Sequence, residues 1–414
     1  KLSSKCLASH RSAWRNWHSK HWLLRSQLES EGNGNTAVKE GKKMNKAMQL
    51  LELGQSLWFD SIRRGMLHNG EMEGMIARGE IRGVTSNPTI FMQAITKSTD
   101  YDESLISLRD PSLQPEEIFF RLAIEDIQAA ADLFAPLYQQ TQGGDGYVSL
   151  EVSPDLAYDS EATLAQAKEI WQSVNRPNLM IKIPATSAGL PAITAAIAAG
   201  VNVNATLIFS IERYREVVEA YLKGLEERVN AGLPLGQMAS VASFFVSRMD
   251  SKIDPQLQKI IDEGGAKAAQ AEQLMGKAAI ANARLAYAAF KEIASSERFI
   301  ALQKQGGQIQ RPLWASTSTK NPAYRDVRYV EELIGKDTVN TVPPQTLAAF
   351  LDHGEVRPSL EEDLEGAREV FAQLEKLGIS YNKVTAELED EGVKSFADAF
   401  NTLLNAIAQR RKAN

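Results

Sequence analysis

Lys182 lies inside Leu179-Met-Ile-Lys-Ile-Pro-Ala-Thr186, an apolar run of strand character. A lysine is rarely buried unless it is paired or functional, because stripping water from an ammonium group is costly. In water, with a pKa of about 10.4, a lysine is a free amine in roughly one molecule per few thousand at pH 7. Burial disfavours the charged form, and a free amine can attack a ketone to form an imine. The bland alternative is a strand-end lysine whose stem lies on apolar surface while its head reaches solvent. Neighbouring strand ends weigh against that alternative. They carry Asp60, Asn87, Glu151, Asn204, Thr206, Ser243 and Ser316. One polar strand end is ordinary. A set with a lysine, two carboxylates, two amides and several hydroxyls is what imine chemistry on a polyhydroxy ketone requires. Carboxylates shuttle protons between amine, carbinol and substrate hydroxyls, while amides and hydroxyls align the bond to be cleaved.

Other chemistries lack their residues. The single cysteine, Cys6, and His10, His18 and His21 fall near the start of the chain, leaving only His68 and His353 downstream. A disulfide framework, a Cys/His metal site and a Cys-His nucleophile pair are nearly excluded, and no metal or cofactor is expected. Neither histidine lies in a recognisable triad context; both read as surface or loop residues. A metal-dependent aldolase would need a histidine cluster that is missing here. The net charge of −6 suggests no nucleic-acid partner, and no apolar run is long enough to span a bilayer. Arg82 reads as an ion-pairing residue at a strand start.

The elements that must position these groups alternate. Strand-like runs occur at 56–59, 82–85, 147–152, 179–183, 203–209, 240–246, 312–316 and 338–342, and helix-period stretches separate most of them. Helices are expected over 115–138, over 211–230 with Ser210 as N-cap, and over 268–295. Such alternation argues for a parallel sheet, open or closed. No Gly-x-Gly-x-x-Gly follows the first strand, which favours a single (β/α)8 TIM barrel over a dinucleotide-binding sheet. Further helices over 360–377 and 384–410 are expected to pack on it. Residues 1–43 read as a segment outside the fold, basic and acid-poor up to Leu28: either a leader preceding a natural start at Met44 or a transit peptide. The fold is expected to occupy 44–414, in a cytoplasmic protein unless that segment addresses a plastid or another organelle.

Six stretches carry a resemblance. Gly54-Gln-Ser-Leu-Trp-Phe-Asp60, Arg82-Gly-Val-Thr-Ser-Asn-Pro-Thr-Ile-Phe91, Gly146-Tyr-Val-Ser-Leu-Glu-Val152, Ile181-Lys-Ile-Pro-Ala-Thr186, Val203-Asn-Ala-Thr-Leu-Ile-Phe-Ser210 and Ala242-Ser-Phe-Phe-Val-Ser-Arg248 resemble, in order, the transaldolase family. The resemblance implies Lys182 as the Schiff-base lysine and Asp60 as acid/base on the donor hydroxyl. It implies Glu151 and Thr206 as the pair holding a water for proton transfer. Asn87, Asn204 and Ser243 would hold the dihydroxyacetone unit, with Phe245 lining the pocket and Arg248 gripping the phosphate. Many members have an arginine after the seventh strand. This chain reads Ala315-Ser-Thr-Ser-Thr-Lys-Asn-Pro322 instead, so Lys320, aided by Ser316, is the expected substitute. The partners implied are sugar phosphates, in a monomer or homodimer. A fructose-6-phosphate aldolase, which releases free dihydroxyacetone, is the nearest rival. A non-catalytic sugar-phosphate-binding barrel is the rival from another class.

Overall fold

The computed structural model describes residues 44–413. The segment expected to stand outside the fold, residues 1–43, lies outside the described residues. Seven strands form one curled parallel sheet: β1 (Gln55–Phe59), β2 (Val148–Glu151), β3 (Leu179–Pro184), β4 (Val203–Ile208), β5 (Ser240–Phe245), β6 (Arg311–Ala315) and β7 (Thr338–Val342). Their order is β1-β7-β6-β5-β4-β3-β2. Every strand residue except Arg311 is buried, the polar ones such as Ser149, Asn204 and Asn340 included.

The run expected as an eighth strand, 82–85, forms only an isolated bridge through Val84, which pairs with Phe59 on one side and Val148 on the other. Its backbone is nonetheless bonded to both edges of the sheet. The Arg82 and Thr85 amides donate to Leu57 and Phe59, and the Val84 amide donates to Tyr147. The ladder stops short for packing reasons. Gly83 lies flat on the Trp58 indole, where a Cβ would come within 2.7 Å of the ring. Arg82 turns to Asp145 at 2.7 Å, the ion pair anticipated for it. Beyond Thr85 the chain leaves for the helix Pro88–Lys97.

Helices fill the connections. The expected 115–138 and 211–230 segments appear as Pro115–Gln140 and Ile211–Asn230, the latter capped by Ser210, whose hydroxyl accepts from the Arg213 amide at 3.0 Å. The 268–295 stretch is instead two helices, Ala268–Leu274 and Ala278–Ala294. Two buried carboxylates on the helix Ser247–Glu263 cause the break. Asp254 accepts from the Gly276 amide and Asp250 from the Ala279 amide, capturing donors at the start of the second helix. Gly276 has φ 67°, and a side chain there would strike Tyr324 and Arg328. The C-terminal part forms Leu364–Leu377 and Tyr381–Ala413. Among the described residues no helix is long and apolar enough to cross a membrane.

Asp250 also accepts from the Tyr329 hydroxyl at 2.8 Å, tying the loop after β6 to the helix that carries Arg248. Burial, and then the neighbouring Asp254, push its pKa from 3.8 up to about 6. A carboxylate that binds its proton more tightly when folded adds stability as pH falls through about 6, and the gain is complete below its unfolded value. Asp250→Asn, whose amide oxygen still accepts from the Ala279 amide and whose NH2 donates to the Tyr329 oxygen in place of accepting from it, carries no charge and should therefore be more stable than the wild type above pH 6. The difference in unfolding free energy should grow by up to about 3 kcal/mol between roughly pH 4 and pH 8. Paired thermal and denaturant melts across that range check it; a pH-independent gap would contradict it.

Candidate active site

The carboxyl ends of the strands border a cavity of about 840 Å³. Parallel register decides what meets there. Glu151 of β2 lies beside Lys182 of β3, which lies beside Asn204 of β4, so the three share a face of the sheet. Lys182 is 4% exposed. Its Nζ donates to the Ser86 carbonyl at 3.0 Å and stands 3.3 Å from Glu151 Oε2. That ion pair lacks hydrogen-bond alignment. Among the described residues, neither Glu151 carboxylate oxygen nor Thr206 Oγ1, all three buried, has an aligned hydrogen-bond partner. Burial raises the Glu151 pKa; Lys182 opposes the rise and Asp60 adds to it.

Thr206 owes its position to an irregularity in β4. The register against β5 shifts between Ala205 and Ile208, and Leu207 has φ 61°, a left-handed conformation that is strained for a leucine. Thr206 borders the cavity next to this bulge.

Asp60 follows β1, and its amide donates to the Val342 carbonyl of β7 at 2.8 Å. Thr85 Oγ1 donates to Asp60 Oδ1 at 2.6 Å and is itself 2.6 Å from Thr341 Oγ1. The Asp60 carboxyl opens onto the cavity but is otherwise enclosed, and burial raises its pKa against the pull of Lys182, Thr85 and Lys320. Asn87 caps the helix Pro88–Lys97, its Oδ1 accepting from the Ile90 amide at 3.0 Å, and also borders the cavity. Ser243 borders it too and donates to Asn204 Oδ1 at 2.7 Å, while Asn204 Nδ2 donates to Ser149 Oγ at 3.2 Å. Asn204 is fully buried behind Ser243 and does not itself border the cavity; neither does Glu151.

A cationic rim faces these groups. Arg248, in the first turn of Ser247–Glu263, has its Cζ 5.1 Å from the Phe245 ring and 5.9 Å from the Phe396 ring. Lys320 donates to Ser318 at 2.7 Å. Burial and the nearby Arg248 charge hold the Lys320 pKa down, with Asp60 pulling it up. Among the described residues, neither Arg248 nor Lys320 is ion-paired. Two adjacent cations without a carboxylate between them make a receptor for an anion. Ser316 joins them at φ 56°, its Oγ 3.0 Å from Ser247 Oγ. Among the described residues no group of three or more His, Cys, Asp and Glu side chains is placed to hold a metal ion. His68 and His353 are exposed.

Two contributors escaped the sequence reading. Thr85 bonds Asp60 from the shortened strand, although its motif was in view. Phe396, on the helix Tyr381–Ala413, borders the cavity and stands 5.9 Å from Lys182 Nζ. In sequence it reads as one more core residue of an amphipathic helix.

A parallel sheet whose polar groups converge at the carboxyl ends of its strands is the architecture of an α/β enzyme. More narrowly, the chain belongs to the transaldolase/fructose-6-phosphate aldolase family, whose model matches residues 57–407. It is 48% identical over 362 residues to a transaldolase of Saccharopolyspora erythraea, covering 87% of this chain and 96% of that one. It is 49% identical over 361 residues to transaldolase 1 of Streptomyces avermitilis, covering 87% and 94%. A transaldolase of Trichodesmium erythraeum is 44% identical over 374 residues, covering 89% and 98%.

The cationic rim can be tested apart from catalysis. Arg248→Ala should weaken orthophosphate binding, measured by calorimetry, by about tenfold or more, and Lys320→Ala by a smaller factor. Unchanged affinity in both would mean that the rim is not the anion site.

Proposed function

We propose that the chain is a transaldolase, moving a dihydroxyacetone unit from fructose 6-phosphate or sedoheptulose 7-phosphate to an aldose phosphate through an imine on Lys182. The observation that carries this reading is the buried Lys182 amine, 3.3 Å from the Glu151 carboxylate and bordering the same cavity as Asp60 and the unpaired Arg248. The fold behind it is read as a (β/α)8 barrel occupying 44–414, with the Val84 bridge as the remnant of its eighth strand. Residues 1–43 are read as lying outside that unit. A cytoplasmic setting in the pentose phosphate pathway goes with the reading.

The amine of Lys182 adds to the donor ketone at C2. The carbinolamine loses water to give an iminium, with Glu151 and Thr206 holding the water that relays protons; their unpartnered buried oxygens suit that task. Asp60 takes the proton from the C4 hydroxyl. The C3–C4 bond then breaks, its electrons pass into the iminium, and the aldose phosphate leaves. The resulting enamine is the three-carbon nucleophile. It attacks the aldehyde of the next aldose phosphate, and the steps reverse. The protonated imine is its own electron sink, so the scheme draws on no cofactor. Asn87 and Ser243 orient donor hydroxyls, Asn204 acts through Ser243, and Phe245 forms a wall. Arg248, Lys320 and Ser316 take the phosphate. Fructose-6-phosphate aldolase chemistry shares every step up to the enamine and differs only in its release to water.

Borohydride reduction with fructose 6-phosphate and no acceptor, followed by peptide mass mapping, should find a reduced three-carbon adduct on Lys182. With erythrose 4-phosphate present, sedoheptulose 7-phosphate should form in preference to free dihydroxyacetone. Lys182→Ala should lose about four orders of magnitude or more in transfer rate. A Lys182→Ala protein that transfers normally would overturn the assignment.

A further inference from the structure

The helix Tyr381–Ala413 lays three residues of one face over the reactive groups. Gly392, Phe396 and Phe400 recur at intervals of four, so they stack along a single stripe. Gly392 sets the approach: a Cβ there would meet Leu207 at 3.1 Å, Phe209 at 3.3 Å and Arg248 at 3.4 Å. Those contacts bring the helix onto the bulged end of β4. One turn on, the Phe396 ring lies 5.9 Å from Lys182 Nζ and 5.9 Å from Arg248 Cζ. One turn further, Phe400 is 1% exposed and lines a small hollow with Glu151, Phe91 and Phe119. Its ring meets Phe119 edge-on at 5.3 Å. The helix is tied down along its length. Lys252 pairs with Glu387 and Glu391 at 2.8 and 2.6 Å, and Arg410 bonds Asp102 and the Ile95 and Ser98 carbonyls.

We propose that Phe396 and Phe400 are positioning residues of the reaction: Phe396 holds the Arg248 guanidinium toward the substrate phosphate, and Phe400 closes the hollow beside Glu151 to bulk solvent, leaving the carboxylate only the relay water it shares with Thr206. The two jobs follow from where the rings lie. Arg248 sits within cation–π range of both Phe245 and Phe396, so removing Phe396 frees the guanidinium to swing toward Glu391 or solvent. Glu151 lines that small hollow together with the rings of Phe91, Phe119 and Phe400. The charged groups that act on it are Lys182 and, more distantly, Asp60. Removing the Phe400 ring admits bulk water to that hollow, favours the carboxylate form of Glu151 and moves the acid limb of imine formation to lower pH. Both effects rest on the reading of Lys182 as the imine-forming residue.

The test compares Phe396→Ala, Phe396→Leu, Phe400→Ala and Phe400→Leu in the full chain. Its readouts are steady-state transfer and the rate of borohydride-trappable imine from pH 5 to 9. Phe396→Ala should raise KM for fructose 6-phosphate roughly tenfold with a smaller change in kcat. Phe396→Leu, lacking the ring face but keeping bulk, should show much of the same rise. Phe400→Ala should shift the acid limb of the imine-formation profile downward by about half a unit to one unit, and Phe400→Leu should restore it. A uniform fall in rate, with KM and the limb unmoved, would mean that the rings serve only folding and would overturn the proposal. If Phe400→Ala does not fold, the KM of Phe396→Leu alone decides the Phe396 half. A wild-type protein giving no trapped adduct would overturn the lysine reading itself, whereas an adduct with superimposable profiles would overturn only this proposal.

Discussion

Everything in this molecule is arranged around keeping one lysine amine out of water. A buried charge without a partner is strongly destabilising, and a partner offsets the penalty only if its geometry is held. Here the partner is supplied by register, since β2 and β3 pair Glu151 with Lys182 directly. Ser86, on the segment bonded to both sheet edges, adds a carbonyl to the same amine. A one-residue slip of β3 would send Lys182 to the opposite face, among the helices, so the apolar residues flanking it do more than fill space. They specify which face of the sheet the amine takes.

The cavity divides electrostatically. Behind its lining at Glu151 and on its edge at Asp60, burial pushes both carboxyls toward their neutral forms while Lys182 opposes the shift. At its rim, Arg248 and Lys320 lie near each other and, among the described residues, neither is ion-paired, so their mutual repulsion favours an anion. Local strain accompanies both zones: Leu207 beside Thr206 and Ser316 at the rim hold left-handed backbone conformations that non-glycine residues rarely adopt.

Much of this was legible in the sequence because the barrier to burying polar groups leaves a visible trace. The apolar runs that became β3, β4, β5 and β7 stand out since both their faces are covered, and the polar residues at their ends stand out by contrast. The 82–85 run looked equally strand-like, yet Gly83 against Trp58 and the departure toward Pro88 leave only Val84 in the ladder. The break at Gly276 was hidden because its cause, Asp254 and Asp250, lies 22 and 29 residues upstream of the amides they bond, on another helix. Asn204 was visible as polar, but only the hydrogen bonds show that it faces Ser243 and Ser149 rather than the cavity. Phe396 was invisible for the opposite reason: in periodicity a ring over an active site and a ring in a core are the same.

The pairing of β1 with β7 has a consequence for how the protein is made. As the chain leaves the ribosome, β3, β4, β5 and β6 can each dock beside the strand synthesised just before. β1 cannot. Its early neighbour, the 82–85 segment, offers a few backbone hydrogen bonds around the Val84 bridge, and its full ladder waits until residues 338–342 have emerged. Asp60 hangs from that late ladder through the Val342 carbonyl. Domains fold as units once their long-range pairings become possible. The nascent chain therefore carries Lys182 long before the strand that fixes the Asp60 backbone has emerged.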